Sequence, residues 1–343
     1  MGKFKAFLKR KNIEFSVQRY LIDAMSHMAL GLFASLLVGT ILNSLGTWLN
    51  IPFLSETVWP IAKSMMGPAI GVAVAYGLKA PPFVLFASAI TGAAGDSLGG
   101  GPVGAFVAAV IGAEFGKAVS KETKVDLIVT PAVTILTGVL IGKFVGPGIA
   151  KFMTGLGQMI IYATTLQPFW MGILVSVLVG LALTAPISSA ALCIMLGLEG
   201  LAAGAATAGC CAQMVGFAVI SFKDNGWGGA IAQGIGTSML QIPNIVKNYR
   251  ILIPPTLASA ITGPLATMVF KMENIPMGAG MGTSGLVGQF GTITAMAGKV
   301  PSLKLYLSIL LLHFILPAVL SLLIALPMRK WGWIKDGDMK LNI

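Results

Sequence analysis

Charge is scarce in this sequence. Asp, Glu, Lys and Arg make up 10% of its 343 residues, where a soluble domain carries about 25%. So few ions cannot cover a water-facing surface of this size, which excludes a soluble enzyme. Acids are fewer still, 12 against 23 bases, leaving a net charge of +11. Histidine (2) and cysteine (3) are nearly absent. Cys193, Cys210 and Cys211 lack any Cys-x-x-Cys or Cys/His companion at ligand spacing, so neither a disulfide framework nor a metal site is expected. They read as small packing residues. His27 and His313 stand at opposite ends of the chain inside apolar runs and read as structural. No Ser/His or Glu/His pair has workable spacing, so no catalytic residue, metal or cofactor is assigned.

What the sequence has is apolar length: 56% hydrophobic residues and a mean hydropathy of +0.87. Runs near 20–45, 57–78, 82–97, 102–119 and 126–149 approach or reach the ~20 residues that cross a bilayer as a helix. A second set lies near 168–184, 187–198, 200–222, 227–246 and 250–270, and a last long run is 303–327. Segments 152–166 and 276–298 are too rich in Gly and Thr to be expected to face lipid. The bases flank these runs rather than interleave with aromatics, so they mark cytoplasmic segments and argue against nucleic acid. Residues 1–16, without a cleavage site, read as a basic cytoplasmic or interfacial stub on the anionic inner leaflet, not a signal peptide. The chain is expected to be a multi-pass protein of a bacterial inner membrane with a cytoplasmic N-terminus.

The chain also repeats itself in order. AITGAAGDSLGG (89–100) resembles ATAGCCAQMVGF (206–217). GAFVAAVIG (104–112) resembles GAIAQGIGT (229–237) at an offset of 125. DLIVTPAVTILTG (126–138) matches RILIPPTLASAITG (250–263), and TGLGQMI (154–160) echoes TSGLVGQF (283–290). An odd number of spans between copies would invert the second. The expected fold is an all-α polytopic membrane protein of about 10 transmembrane helices, in two inverted repeats with broken helices and re-entrant Gly-rich segments. The repeats are 17–166 and 167–300, followed by a last transmembrane helix at 301–328 and a basic tail at 329–343. Secondary transporters share this plan, with a substrate site near the midplane between repeats.

Four places could carry chemistry. In GDSLGGGPVG (95–104), Asp96 and Ser97 precede a glycine break that is either a solvent loop or a re-entrant site. Glu114 either faces a cavity or pairs with Lys117 at i,i+3. Gln233, Gln241 and Asn244, with Ser238 and the kink-forming Pro243, would share one side of a helix, where they either bond to neighbouring helices or receive a neutral polyol. Six glycines across 278–291, beside Thr283, Ser284 and Gln289, suit a re-entrant segment lining the substrate. Gln158 is the counterpart of Gln289, and Gln213 lies in the GCCAQMVGF copy. All ten (Asp96, Ser97, Gln158, Gln213, Gln233, Gln241, Asn244, Thr283, Ser284 and Gln289) are candidate substrate-binding residues. Pro131, Pro254 and Pro255 are candidate hinges of two broken helices.

GDSLGGGP, VTPAVT, GCCAQMVGF, QIPNI and MGAGMGTSGLVGQ together resemble the enzyme IIC-like membrane family of the bacterial phosphotransferase system. The likeness extends to its divergent branch of toxin regulators, which includes the perfringolysin regulator, and covers residues 15–328. The resemblance implies sugar transport coupled to phosphorylation by separate cytoplasmic subunits. It also implies a membrane Glu and a His contacting the sugar, whereas here Glu199, Glu114 and Asp96 all lie far in sequence from either His. The expected function is a permease for a small polar, sugar-like solute; the alternative is a ligand-binding membrane sensor without transport. Expected partners are that solute, membrane lipid, the cytoplasmic phosphotransferase subunits and a second copy of the chain.

Overall fold

In a computed structural model of the protein the described residues are 2–341, less the side chains of residues 2–4, Leu37, Trp48, Ala191 and Met195. Helices take 82% of the chain, and among the described residues there is no strand. The helices are α1 (Gly2–Arg10), α2 (Gln18–Thr47), α3 (Phe53–Ser64), α4 (Met66–Gly77), α5 (Pro82–Gly95), α6 (Gly101–Val119) and α7 (Asp126–Thr164). They continue as α8 (Pro168–Thr184), α9 (Ser189–Met195), α10 (Gly200–Ile220), α11 (Phe222–Ile231), α12 (Ile242–Lys247) and α13 (Tyr249–Val269). The last are α14 (Pro276–Ala279), α15 (Val287–Met296) and α16 (Ser302–Lys330). The chain forms two compact units, Met1–Gly39 with Pro52–Phe152, and Thr40–Ile51 with Met153–Ile343.

Six stretches are long and apolar enough to cross a membrane, or seven if α3 and α4, bent by 47°, count as one span. One of the six, Pro82–Val119, is a hairpin rather than a rod. Leu98 and Gly99 leave helical geometry, and Gly101 takes φ 54°, ψ −150°. A Cβ on Gly95 would lie 2.2 Å from the Gly104 carbonyl oxygen, and one on Gly116 2.9 Å from a Val84 methyl. The two helices therefore run antiparallel, separate as the apolar runs 82–97 and 102–119 predict. With 14 residues α5 is about 21 Å long, short of a hydrocarbon layer of about 30 Å. The second unit reverses direction in a similar way after α10. Gly226 takes φ 58°, ψ −159°, and a Cβ on Gly234 would lie 3.4 Å from the Ala218 Cβ.

Three expectations change. Residues 152–166 continue α7 without a break as far as Thr164, and Lys151, Phe152, Met159 and Tyr162 are exposed, because a helix satisfies its own backbone even when Gly-rich. The run 227–246 is not one helix: Thr237 is extended (φ −161°, ψ 142°), between a wide turn at Ala232–Gly236 and a 3-10 turn at Ser238–Gln241. The prolines are not the breaks. α7 passes through Pro131, and Pro254 and Pro255 sit in the opening turns of α13, where most missing N–H groups cost nothing. Glycine supplies the reversals, since only glycine readily adopts those dihedrals.

Within each unit, helices meet backbone to backbone at small residues, the packing mode available where lipid removes the hydrophobic drive. A Cβ on Gly71 would lie 2.0 Å from the Ser88 carbonyl oxygen, and one on Gly92 2.2 Å from that of Gly67. In the second unit a Cβ on Gly209 would lie 2.0 Å from the Ser176 carbonyl oxygen, and one on Gly204 1.8 Å from that of Met272. α10 is the axis of this unit, nearly every residue from Ala202 to Ile220 being buried. At the other extreme, Gly148 and Gly155 of α7 have nothing within 4 Å. Gly71→Val and Gly209→Val should each lower the melting temperature in detergent by several degrees, the overpacking costing about 1–3 kcal/mol or more against rigid backbone. Gly155→Ala should leave it unchanged or raise it, by about 0.5–1 kcal/mol of helix propensity. Size-exclusion profiles after heating would check both.

Candidate functional site

The polar residues of the second unit are buried in three groups. The first lies on α15, α10 and α16. The Gly-rich segment leaves helical geometry at Gly282 (φ 54°), Gly285 (φ 52°) and Leu286 (φ 58°), then starts α15. This places Gln289, 5% exposed, with its amide nitrogen 3.2 Å from His313 Nδ1 and 3.5 Å from Cys211 Sγ. His313 is fully buried, in a one-turn widening of α16 at Leu311–Ile315 of the kind common at functional sites. Gln289 Oε1, His313 Nε2, Ser284 Oγ and Ser321 Oγ are buried without a hydrogen-bond partner among the described residues.

Asn274 braces this segment. Its amide donates to Thr207 Oγ1 (2.6 Å), the Gly288 carbonyl (2.9 Å) and Thr292 Oγ1 (3.1 Å). Gly278 and Gly291 admit it: a Cβ on either would lie 2.3 or 2.2 Å from its Oδ1. Thr283 donates to the Gly234 carbonyl, fastening the segment to the turn after α11.

The second group is Gln213, Thr184, Ser238 and Thr256. Thr184 Oγ1 bonds Gln213 Oε1 (3.1 Å) and Ser238 Oγ (2.8 Å), while Gln213 donates to Thr256 Oγ1 (3.0 Å).

The third group is the amide trio, and here the break at Thr237 matters more than any helix face. Gln241 donates to Gln233 Oε1 (2.8 Å) and accepts from Asn244 (2.8 Å). Gln233 also donates to Ser221 Oγ (2.9 Å). The free ends of this chain hold the tail: Gln241 and Asn225 donate to the Met339 carbonyl (3.0 and 2.8 Å), and Asn244 to that of Lys340 (3.0 Å). Asp224 accepts from the Gly337 N–H (3.0 Å), and Asn225 accepts from that of Leu341 (2.8 Å). Lys223 and Arg329 pair with Asp336 at 2.6 and 3.1 Å. The trio is thus occupied by main chain.

Of the other candidates, Asp96, Ser97 and Glu114 belong to the first unit. Asp96 is half-buried at the α5–α6 turn and Ser97 is exposed, its hydroxyl 3.4 Å from the Ala94 carbonyl. Gln158 is exposed on α7 and is not among the partners of Gln289. Glu114 pairs with Lys117 at 2.9 Å, the i,i+3 alternative, and with Arg19 at 3.8 Å. Glu199 is exposed at the start of α10. Among the described residues no three of His, Cys, Asp and Glu cluster as metal ligands would. Sequence reasoning missed His313 and Asn274. The available signal was a histidine at the centre of the most apolar run, where a polar side chain is costly.

The family described as "Phosphotransferase system, EIIC" matches residues 22–341. The chain belongs to that family. No curated protein and no solved structure matches it. EIIC proteins are the integral inner-membrane transport components of the phosphotransferase system, and membership suggests a sugar substrate and work alongside its other components. In this EIIC chain the side chain beside His313 is the neutral amide of Gln289 and not an acid.

Tail docking yields two expectations. Removing residues 337–343 strands donors on buried Gln241 and Asn244 and half-buried Asn225, at up to about 1–3 kcal/mol each, so the melting temperature should fall by several degrees. Asp336 is held below its usual carboxylate range by the hydrogen bond from Lys223, with Arg329 assisting. A depressed folded value stabilises above the unfolded pKa of about 3.9 and is lost as pH falls through the lower folded one. Fluorescence of Trp331 and Trp333 should therefore hold constant from neutral pH down to that range and change only below it.

Proposed function

We propose that the protein is a permease that moves a small neutral, sugar-like solute through a site at membrane depth built on Gln289 and His313, with Ser284 and Thr283 in the adjoining glycine segment. The observation that carries this reading is a matched pair of unpaired atoms. With the Gln289 amide nitrogen facing Nδ1, that ring nitrogen accepts and the imidazole proton sits on Nε2. Gln289 Oε1 is then a buried acceptor and His313 Nε2 a buried donor, both unpartnered among the described residues. A hydroxyl offers one donor and two lone pairs and answers both. A neutral amide, a neutral ring and a hydroxyl provide no clamp for an anion, which favours a polyol over a phosphate or dicarboxylate. Family membership supports the sugar, and phosphoryl transfer would come from separate subunits.

The two inverted repeats belong to the same proposal. Gly101 and Gly226 lie 125 residues apart, the offset found in the sequence, and share nearly the same unusual dihedrals at equivalent reversals. Gln289→Ala should weaken sugar binding by roughly 5- to 150-fold, the loss of one hydrogen bond of about 1–3 kcal/mol, with insertion and melting temperature nearly intact. Uptake into proteoliposomes should fall in parallel. Unchanged binding and uptake would make Gln289 a packing residue. Wild-type binding without any uptake would make the protein a sensor.

Inversion has its own check. In a background lacking Cys193, Cys210 and Cys211, cysteines at Lys121 and Lys247, both exposed, should label from opposite sides of the membrane. Labelling from one side would mean a parallel repeat.

A further inference from the structure

The first unit contains a cavity of about 390 Å3 that the transport reading does not use. Phe7 and Leu8 of α1 roof it. Ile13, Phe15 and Tyr20 line it where the chain returns after Asn12 (φ 53°), and Val110, Ile111, Phe115 and Ala118 of α6 form its floor. Its volume falls in the range of about 300–1,000 Å3 typical of small-molecule sites. Apart from the Tyr20 hydroxyl, the only polar group in the wall among the described residues is Glu114, and that carboxylate is paired with Lys117 and Arg19. The interior therefore has almost nothing to offer a polar molecule.

The surroundings of the cavity are basic. Arg10 donates to Glu122 at 2.7 Å, and Lys11 bonds Glu122 and the Ser120 carbonyl, so the roof helix is pinned by its C-terminal end to the loop after α6. The hydrogen bond from Lys11, with Arg10 assisting, holds Glu122 below its usual carboxylate range, so the pin persists at neutral pH. Lys5 and Lys9 are exposed on the outer side of α1. Around the cavity Lys5, Lys9, Arg10, Lys11, Arg19 and Lys117 outnumber Glu14, Glu114 and Glu122. An apolar chamber beneath a basic amphipathic helix suits a molecule with a hydrocarbon body and an anionic head.

We infer that this cavity binds one acyl chain of an anionic bilayer phospholipid, with its phosphate held against the exposed basic residues of α1. The lipid is then a bound component of the first unit, wedged between α1 and α6, rather than part of the fluid annulus.

Native mass spectrometry of the full chain, offered phosphatidylglycerol and phosphatidylcholine of the same acyl length, tests this. One retained phosphatidylglycerol per chain is expected, preferred by about fivefold. Ala118→Phe, which fills the floor, should abolish that adduct. Lys5→Gln with Lys9→Gln should keep an adduct but erase the preference. Retention unchanged in Ala118→Phe, or equal retention of both lipids by the wild type, would overturn the inference. If Ala118→Phe does not fold, Ile111→Trp, at a half-buried position of the cavity wall, gives an independent reading. In vesicles of phosphatidylcholine with a few per cent of brominated-chain phosphatidylglycerol, it should be quenched more strongly than Phe86→Trp, which is exposed on α5. Equal quenching would also overturn the inference.

Discussion

Hydrocarbon cannot hydrogen-bond, and the rest of this structure follows from that constraint. Each main-chain N–H and C=O at membrane depth needs a partner within the protein, so the chain is helical almost throughout. Helices surrounded by lipid gain little from burying apolar side chains against one another, so they hold by approaching closely enough for dispersion and backbone contact to count. The abundance of glycine and alanine is the sequence counterpart. At Gly71, Gly92, Gly204 and Gly209 a single methyl group would strike a neighbouring carbonyl oxygen.

The same constraint governs where irregular backbone is allowed. The departures from helix at 280–286 and 232–241 belong to the second unit, and side-chain amides and hydroxyls brace them. Asn274 holds the glycine segment, and the trio Gln233, Gln241 and Asn244 holds the tail. Polar residues that are costly in lipid become the means by which non-helical backbone is tolerated. Gln289 and His313, like Ser284 and Ser321, differ in that each keeps a buried polar atom without a hydrogen-bond partner among the described residues.

The helical membrane class was legible because span length and hydropathy act locally. The separate runs 82–97 and 102–119 and the Glu114–Lys117 pair could be read for the same reason: each depends on a few neighbouring residues. The region 227–246 could not. Its composition permits a helix, and the broken form is held by bonds from Gln241 and Asn244 to a segment about 100 residues later. Pro131, Pro254 and Pro255 misled because a proline's cost depends on which turn it occupies. Gly99, Gly101 and Gly226 do the breaking, and their dihedrals were not visible among 43 glycines. The Gln289–His313 contact spans 24 residues and a change of helix, so no periodicity could reveal it.

The tail network also has a consequence in time. Its donors lie between Asn225 and Asn244, and the carbonyls they serve lie 96 to 114 residues further on. During synthesis these amides emerge first and must wait, hydrated or otherwise engaged, while α13, α15 and α16 enter the bilayer. The second unit can close its polar interior only after its most apolar helix is in place. Its assembly is therefore ordered: the membrane accepts the hydrophobic spans first, and a short irregular segment of main chain seals the unit last.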